Sequence, residues 1–230
     1  MVKIMATTDR KEREKEQRKN AIIDAAEKLF FSRGFDSVSM EEIAKEVELG
    51  KGTLYLYFKN KDSLFFAITL RKMRKLHEIF VECVELKISG REKSRLMGKK
   101  YFEFVQENQE YYRMICAFGP KLFRKKENED MKAVMEQIKE DLFLSRDVLR
   151  EGMEDGTIRN DIDPLEMASI MNLMCNSIIC LDPNWKKMLE AGGISYDRFV
   201  KNFLLFIGNA IDKRPASNEA NLGDSIIDKH

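Results

Sequence analysis

The side chains best suited to contact another molecule lie in one short stretch, KGTLYLYFKNK, which runs from Lys51 to Lys61. Leu54 and Phe58 are four residues apart, so in a helix they share one face and can turn inward. Hydroxyl and ammonium groups, which are common donors to phosphate oxygens, belong here to Lys51, Thr53, Tyr55, Tyr57 and Lys61. Exposed tyrosines and a lysine contribute little to folding, so the pattern indicates a surface that contacts phosphates.

The element that must position this stretch is a helix beginning at Ser39. Ser39 is a helix N-cap, and Glu42, three residues on, completes a capping box. The apolar face of this helix is made by Ile43, Ala44 and Val47. The chain then turns at 48–50, and Asn60 caps the following helix. We predict two short helices joined by a tight turn, the second of which fits the roughly 12 Å wide major groove of DNA with its N-terminus leading.

A preceding helix completes a small three-helix domain, for which we predict the bounds 21–62. Gly34 ends this first helix, and Phe35 packs back on it. Its inward face is made by Ile22, Ala26, Leu29 and Phe30. The three helices are expected to fold together because none buries enough apolar surface alone.

The run TLYLYFKNKDSL, preceded by the Ser39 helix and by RGFDSVS, resembles the DNA-binding domain of the tetracycline-repressor (TetR) family. The resemblance covers about Ala21 to Leu70. Its parts agree at fixed offsets, which are Gly34, Ser39, Ile43, Ala44, the KGTLY core, Phe58 and Lys61. The family has glycine in the turn where this chain has Glu48. A non-glycine residue at positive φ costs about 1 kcal/mol, so we expect the turn to form with some loss of stability.

The resemblance also implies roles for particular residues. Lys51 and Gly52 match base-edge positions, and Glu41 matches another, where a carboxylate accepts from cytosine or stays clear of phosphate. Ser39 and Met40 mark the helix end that meets the DNA backbone, although capping alone is an alternative role for Ser39. Phosphate-contact positions are matched by Thr53, Tyr55, Tyr57 and Lys61.

Bulk charge does not identify a nucleic-acid partner. The 230 residues carry a formal net charge of only +1, and residues 1–61 contain 13 Lys and Arg against 11 Asp and Glu. The DNA hypothesis therefore rests on placed residues and helix N-termini. The charged N-terminal extension, 1–20, is interpreted as a solvated helix. The alternative is an arm that reaches DNA phosphates through Arg10, Arg13 or Arg18.

Metal, cofactor, catalytic and membrane roles are not indicated. The cysteines at 83, 116, 175 and 180 form no CxxC pair and only two histidines occur, so no metal or other cofactor is expected. No HExxH, GxSxG or P-loop motif is present, so we expect a protein that is not an enzyme. No signal peptide is visible, and no apolar helical segment approaches the ~20 residues of a membrane span, which predicts a soluble cytoplasmic protein.

The rest of the chain is predicted to be an all-α second domain, 63–214, followed by a disordered polar tail, 215–230. Its first helices are predicted from Ser63 to a break at 87–90, from Arg95 to Asn108, from Glu110 to Phe118 and from Glu129 to Asp155. Gly119 and Pro120 are expected to stop the third of these. Two more helices, 165–181 and 195–212, flank a break at 182–183.

The last two predicted helices carry apolar stripes too wide for one core contact each, so a second surface must cover them. The resemblance implies that they pair across a two-fold axis as a four-helix bundle. We therefore predict a homodimer through the helices 165–181 and 195–212, whose two reading heads lie about 34–36 Å apart and meet successive major grooves.

The second domain is rich in Met, Phe and Tyr, which ordinary core packing explains for most single residues. The resemblance implies a cavity for a small apolar or aromatic effector, with a cationic one also compatible. Candidate lining residues are Tyr101, Phe104, Tyr111, Met114, Met135, Asn172 and Asn176. The two asparagines, four apart on an apolar helix, orient a ligand, bond to each other or contact the partner chain.

These patterns predict a ligand-responsive transcriptional regulator, with repression as the favoured output. It binds operator DNA as a homodimer and is released when an effector prefers a state with the wrong head spacing. The helix from Ser63 is the expected lever. The alternative is a ligand-binding or scaffold helical protein without a specific DNA target, for which exposed Tyr55, Tyr57 and Lys61 would have no use.

Overall fold

The computed structural model describes residues 2–125 and 128–213, with side chains from residue 10 onward. These ranges form ten helices, and their strand-like pairing is one isolated bridge between Ile158 and Asp212. The helices are α1 Val2–Arg33, α2 Met40–Glu46, α3 Lys51–Tyr57, α4 Lys61–Val84, α5 Gly90–Glu107, α6 Gln109–Leu122, α7 Glu129–Glu154, α8 Pro164–Ile179, α9 Pro183–Ala191 and α10 Tyr196–Ile211. The all-α prediction is confirmed, while the predicted tail, 215–230, lies outside the described residues.

Several helix ends follow the local signals that the sequence carries. Gly34, with φ of 85°, ends α1, and Gly156, with φ of 78°, follows α7. The Asp163 carboxylate caps α8 by accepting from the backbone N–H of Leu165 at 2.8 Å, with Pro164 at the first helical position. The predictions made for these ends are confirmed.

The prediction that Gly119 and Pro120 stop a helix is wrong. α6 continues through both residues to Leu122, and the backbone N–H of Phe123 still bonds the carbonyl of Gly119 at 2.9 Å. A proline ring also clashes with the Cβ and N–H of the residue before it, and here that residue is glycine, which has no Cβ. One missing hydrogen bond near the helix end is therefore tolerated.

Two further boundaries differ from the predictions, and both follow caps. α5 begins at Gly90 rather than Arg95, because Ser89 and Glu92 form a capping box in which the Ser89 N–H donates to the Glu92 carboxylate at 3.0 Å. The predicted break at Asp182 and Pro183 is present, since α8 ends at Ile179, but a helix that was not predicted, α9, begins there because the Asp182 carboxylate accepts from the N–H of Asn184 at 2.8 Å.

The described chain divides into two compact units, of which the first comprises Met1–Val81 and Lys100–Asp141. The core of this unit joins side chains of α1, α2 and α3 to those of α4, α6 and α7. Phe35, in the loop after α1, is central to it, with ring centroids 5.0 Å from Phe30, 5.6 Å from Phe65 and 5.2 Å from Phe118. The three N-terminal helices therefore pack against apolar side chains of α4, α6 and α7 as well as against one another.

The described residues of the second unit are 82–99 and 142–213. Its core contains Leu149, Ile158, Met167, Ala168 and Ile211. The first residue of α5 touches α7 backbone to backbone, because a Cβ added to Gly90 would lie 2.2 Å from the nitrogen of Gly152. None of the helices in the described ranges has the length and apolar composition to cross a membrane alone; α8 and α9 meet that criterion only as a pair, bent by 78°.

Candidate nucleic-acid interface

The start of α2 is fixed by the predicted capping box. Ser39 has extended backbone angles, its hydroxyl accepts from the Glu42 N–H at 3.2 Å, and its own N–H donates to the Glu42 carboxylate at 2.8 Å. Arg33, the last residue of α1, donates to the same carboxylate at 2.6 Å. The Ser39 N–H, then Arg33 and the Ser39 hydroxyl, lower the pKa of Glu42 to about 2. The end of α1 and the start of α2 therefore share one charged junction.

The turn between α2 and α3 is a Schellman motif with a glutamate where glycine usually stands. The N–H of Leu49 bonds the carbonyl of Ala44 at 2.8 Å, and the N–H of Glu48 bonds that of Lys45 at 3.1 Å. Glu48 has φ of 53°, within the left-handed region. The expectation of a formed but strained turn is confirmed, and the turn places the first residue of α3 without a capping side chain.

α3 is held to the core by Leu54 and Phe58, whose side chains are buried. Lys51, Gly52 and Tyr55 are exposed, whereas Thr53 and Tyr57 are half-buried. Tyr57 packs against the apolar core, so it offers its hydroxyl end rather than its whole ring to solvent. Leu56 is 86% exposed and was not singled out from the sequence. Its position two residues from both Leu54 and Phe58 is the signal that could have identified it.

An exposed ion pair joins the two short helices, because Lys51 of α3 bonds the carboxylate of Glu41 on α2. The hydrogen bond from Lys51 is the main cause of a lowered pKa for Glu41, and Glu41 raises the pKa of Lys51. Both positions are predicted to read bases. In this structure the ammonium group of Lys51 and the carboxylate of Glu41 are each other's ion-pair partners.

Lys61, at the start of α4, has a different setting. Its ammonium group donates to the backbone carbonyls of Phe35 at 2.7 Å, Val38 at 3.0 Å and Asp36 at 3.2 Å. It also lies 4.5 Å from the centroid of the Phe35 ring. Because an ammonium group has three N–H donors, these carbonyls account for all of them. Lys61 therefore closes the loop between α1 and α2.

The remaining predicted contacts at this interface are Ser39, Met40 and the N-terminal arm. Met40 is the first residue of α2, and its side chain is buried in the core. Only its backbone is therefore left for a contact at this helix end. Residues 10–20 of α1 are exposed, and Arg10 pairs with Glu14 at 2.7 Å. Arg18 lines an open groove of about 490 Å³ together with Glu14, Gln17, Ala21, Val47, Glu48 and Leu49. The groove runs beside the turn that precedes α3.

The predicted effector residues do not all lie in one place. Tyr101, Phe104, Tyr111 and Met114 belong to the first unit, where the last three are buried. The three aromatic residues among them share a neighbour that the sequence did not single out, Tyr112. Its ring centroid lies 4.8 Å from that of Tyr111, 6.3 Å from that of Tyr101 and 6.4 Å from that of Phe104. Burial raises the pKa of both tyrosines.

Met135 is exposed on α7, and Asn172 and Asn176 are exposed on α8 in the second unit. The Asn176 amide donates to the Asn172 carbonyl oxygen at 2.9 Å, so the two asparagines bond to each other. Within residues 2–125 and 128–213, no three His, Cys, Asp or Glu side chains lie together as a metal site.

A capped helix, a tight turn and a second helix with an exposed polar face, all supported by a first helix, define a DNA-binding protein of the helix-turn-helix class. Residues 22–68 match the family described as "Bacterial regulatory proteins, tetR family". Over this helix-turn-helix segment the chain is therefore similar to this family of regulatory proteins. The match confirms the resemblance read from KGTLY and its flanking residues.

The similarity to known proteins extends well beyond the helix-turn-helix segment. Over 143 residues the chain is 28% identical to the "Fatty acid metabolism regulator protein" of Bacillus subtilis, covering 62% of this chain and 71% of that protein. A TetR/AcrR regulator from Thermobifida fusca has a TM-score of 0.67 at 21% identity, over 84% of this chain and 97% of that one.

The FadR regulator from Bacillus subtilis, solved in complex with stearoyl-CoA, has a TM-score of 0.63 at 22% identity, over 83% of this chain and 98% of that one. These similarities extend the shared fold to the second unit. The relatives are transcriptional regulators rather than enzymes, in agreement with the prediction.

Proposed function

We propose that this protein binds operator DNA as a homodimer, represses transcription by blocking promoter access, and leaves DNA when it binds an acyl-CoA effector. The observation that carries the proposal is the exposed face of α3, which the buried Leu54 and Phe58 hold in one orientation. A helix held in this way presents the same side chains to a duplex each time, which sequence-specific binding requires.

The proposed base contacts are Lys51 and Gly52, with Glu41 accepting from cytosine when its pair with Lys51 opens. Thr53, Tyr55 and Tyr57 are the proposed phosphate contacts. At the start of α2, the backbone N–H of Met40 is the proposed contact to the DNA backbone, because the N–H of Ser39 already donates to the Glu42 carboxylate. For Lys61 we propose an indirect contribution through the 35–38 loop, since its donors already have carbonyl partners.

A footprint and a gel shift on the DNA upstream of the protein's own gene test this proposal. Wild-type protein is expected to protect two half-sites, and Tyr57→Ala to bind specific and unrelated DNA more weakly by the same factor. Failure to retain any genomic fragment at low salt would instead support the alternative of a ligand-binding or scaffold protein without a DNA target.

The proposed dimer uses α8 and α10, which correspond to the predicted helices 165–181 and 195–212. Ile170 and Leu173 on α8 and Leu205 and Phe206 on α10 are large apolar side chains that the single chain leaves exposed. The Asn172 and Asn176 pair lies beside Leu173, and we assign it to this surface. Large apolar side chains exposed on two helices that share a core favour a second copy as the cover.

Phe206→Glu tests the dimer, because Phe206 is 67% exposed and its replacement should not disturb the monomer fold. We expect sedimentation at micromolar concentration to show monomers, with loss of the two-half-site footprint. Trp185→Glu on α9 is the matched control, since Trp185 is 56% exposed and is not one of the four residues proposed for this surface. A Phe206→Glu protein that remains a dimer with wild-type DNA affinity would contradict the interface.

An acyl-CoA effector is supported by the named function of the 28% identical relative and by the stearoyl-CoA in the FadR structure. In this chain the predicted lining residues are aromatic or thioether side chains, a composition that suits a flexible apolar chain. They are Tyr101, Phe104, Tyr111, Met114 and Met135.

Thermal unfolding and gel shifts with stearoyl-CoA, acetyl-CoA and CoA test the effector. We expect stearoyl-CoA alone to raise Tm and to reduce the bound DNA fraction, because binding to the folded state adds RT ln(1 + [L]/Kd) to stability. Equal behaviour of the three compounds would contradict a long-chain effector while leaving DNA binding intact.

A further inference from the structure

Leu56 has the most exposed large apolar side chain among the described residues, at 86%, followed by Phe206 at 67%. Phe206 lies on the proposed dimer surface, whereas Leu56 lies on the seven-residue α3. A single exposed leucine is unremarkable on most surfaces. Its place on the helix proposed to enter the major groove is what requires an explanation.

The geometry of α3 places Leu56 at the centre of the exposed face. Leu54 and Phe58 mark the buried side, and Leu56 is two residues from each. At about 100° per residue, it projects roughly 200° from one and 160° from the other in the same sense, which is opposite the core. Tyr55 and Tyr57 flank it on either side.

Gly52 lies one helical turn before Leu56 on the same face. A Cβ placed on Gly52 would meet nothing within 4 Å, so this part of the surface is open. Helical side chains lean toward the N-terminus, which directs Leu56 over the bare backbone of Gly52. The centre of the face is therefore a small apolar surface bordered by hydroxyl groups.

Folding does not require leucine at this position. The core contacts of α3 are made by Leu54 and Phe58, and charged or polar residues such as Lys, Glu and Gln have helix propensities close to that of Leu. The side chain buries apolar area only when another molecule covers it.

The major groove presents one apolar group, the C5-methyl of thymine. We propose that Leu56 is a specificity-determining residue that packs on thymine methyl groups, with Gly52 giving the backbone room to approach. This inference rests on the proposed DNA binding, and it adds an apolar contact to base readout by hydrogen bonds at Lys51. The operator half-site should then contain a thymine whose methyl group matters and whose hydrogen-bonding edge does not.

Single replacement of each operator thymine by deoxyuridine tests the proposal, because it removes the methyl group and leaves every hydrogen-bonding group in place. For wild-type protein we expect about fourfold weaker binding at one or two positions per half-site, the effect of one buried methyl group. Leu56→Ala should bind thymine and deoxyuridine duplexes equally at those positions, and Leu56→Met should keep part of the discrimination.

Tyr57→Ala is the comparison variant, expected to weaken both duplexes by the same factor and to keep the wild-type ratio. Retention of the wild-type ratio by Leu56→Ala, or wild-type indifference to every deoxyuridine, would overturn the role of Leu56 while DNA binding stands. Wild-type protein that binds no duplex would overturn the proposed function and this inference together. Unfolding curves of both Leu56 variants should superimpose on wild type, since the side chain is exposed.

Discussion

Lys51 at the start of α3 and Lys61 at the start of α4 have the same side chain and the same predicted partner, DNA phosphate or base. The structure separates them. Lys51 is exposed, pairs with the Glu41 side chain and lies 6.0 Å from the centroid of the Tyr55 ring, whereas Lys61 donates to three backbone carbonyls of the loop between α1 and α2. Charge and motif position alone therefore do not distinguish a lysine proposed to contact bases from one that holds the loop before α2.

The largest effect is expected for Lys61→Ala. Removing the ammonium group leaves the carbonyls of Phe35, Asp36 and Val38 without their donor, which should lower the free energy of unfolding by about 2 kcal/mol. Denaturant unfolding measures this loss. Lys59→Ala, a nearby exposed lysine, is the control and should unfold as wild type does. Equal stability of the two variants would remove the distinction between Lys51 and Lys61.

Lys51→Ala should have the opposite profile. We expect unchanged unfolding, because an exposed ion pair contributes little, and a roughly tenfold loss of preference for operator over a base-substituted duplex. Competition gel shifts measure the preference. Lys28→Ala breaks a comparable exposed pair, between α1 and Glu46 of α2, and should keep full preference. Unchanged preference in Lys51→Ala would assign this lysine to the scaffold as well.

A smaller effect is expected at the capping box that supports α2. Ser39→Ala should lower stability by about 1 kcal/mol, and Ser89→Ala, in the equivalent box before α5, by a similar amount without weakening DNA binding. Calorimetry with parallel gel shifts separates the two. A Ser89→Ala variant that binds DNA as poorly as Ser39→Ala would show a general stability effect rather than a local one.

The same box makes acid sensitivity predictable. The pKa of Glu42 is lowered from 4.5 to about 2 in the folded protein, so its contribution is complete above about pH 4.5 and is lost as the pH falls toward 2. Glu42→Gln keeps a hydrogen-bonding side chain but has no charge to titrate. Its Tm should lie below that of wild type at pH 7 and converge with it toward pH 2. A constant difference across that range would contradict this assignment.

The smallest change is expected for Glu48→Gly. Relief of the left-handed φ of 53° outweighs the entropy that glycine adds to the unfolded chain, giving a gain of about 0.5 kcal/mol. Glu46→Gly, the same replacement at a helical position, should destabilise instead. Loss of stability in both variants would mean that Glu48 contributes more through its side chain than its backbone costs.

The sequence predicts the parts of this molecule whose causes are local. Ser39 with Glu42, Gly34, Asp163 with Pro164 and the Schellman turn all act within six residues, and each was readable. Ser89 with Glu92 carries the same signal, but the predicted start of α5 at Arg95 followed the apolar residues of the helix rather than its cap. A helical wheel of α3 would also have identified Leu56.

What the sequence does not predict depends on distant partners. The carbonyls that bind Lys61 come from residues 23 to 26 positions earlier and converge only in the folded loop. The contact of the Tyr112 ring with Phe104, beside its neighbour Tyr111, likewise depends on packing between α5 and α6. Such contacts require the tertiary fold, which motif spacing alone does not specify.

The Lys51–Glu41 pair has a consequence for how the protein searches a genome. A lysine normally gains affinity for any duplex by expelling condensed cations from it, but one that carries its own anion gains less. On DNA of arbitrary sequence, Lys51 would gain little free energy by exchanging Glu41 for another partner. A guanine beside a cytosine would supply a partner for each of the two side chains. Glu41 would thus act as a counterion for Lys51 and shorten the time that the protein stays bound to nonspecific DNA. The affinity for nonspecific DNA should then depend on salt concentration less steeply than the number of lysines in the helix-turn-helix domain suggests.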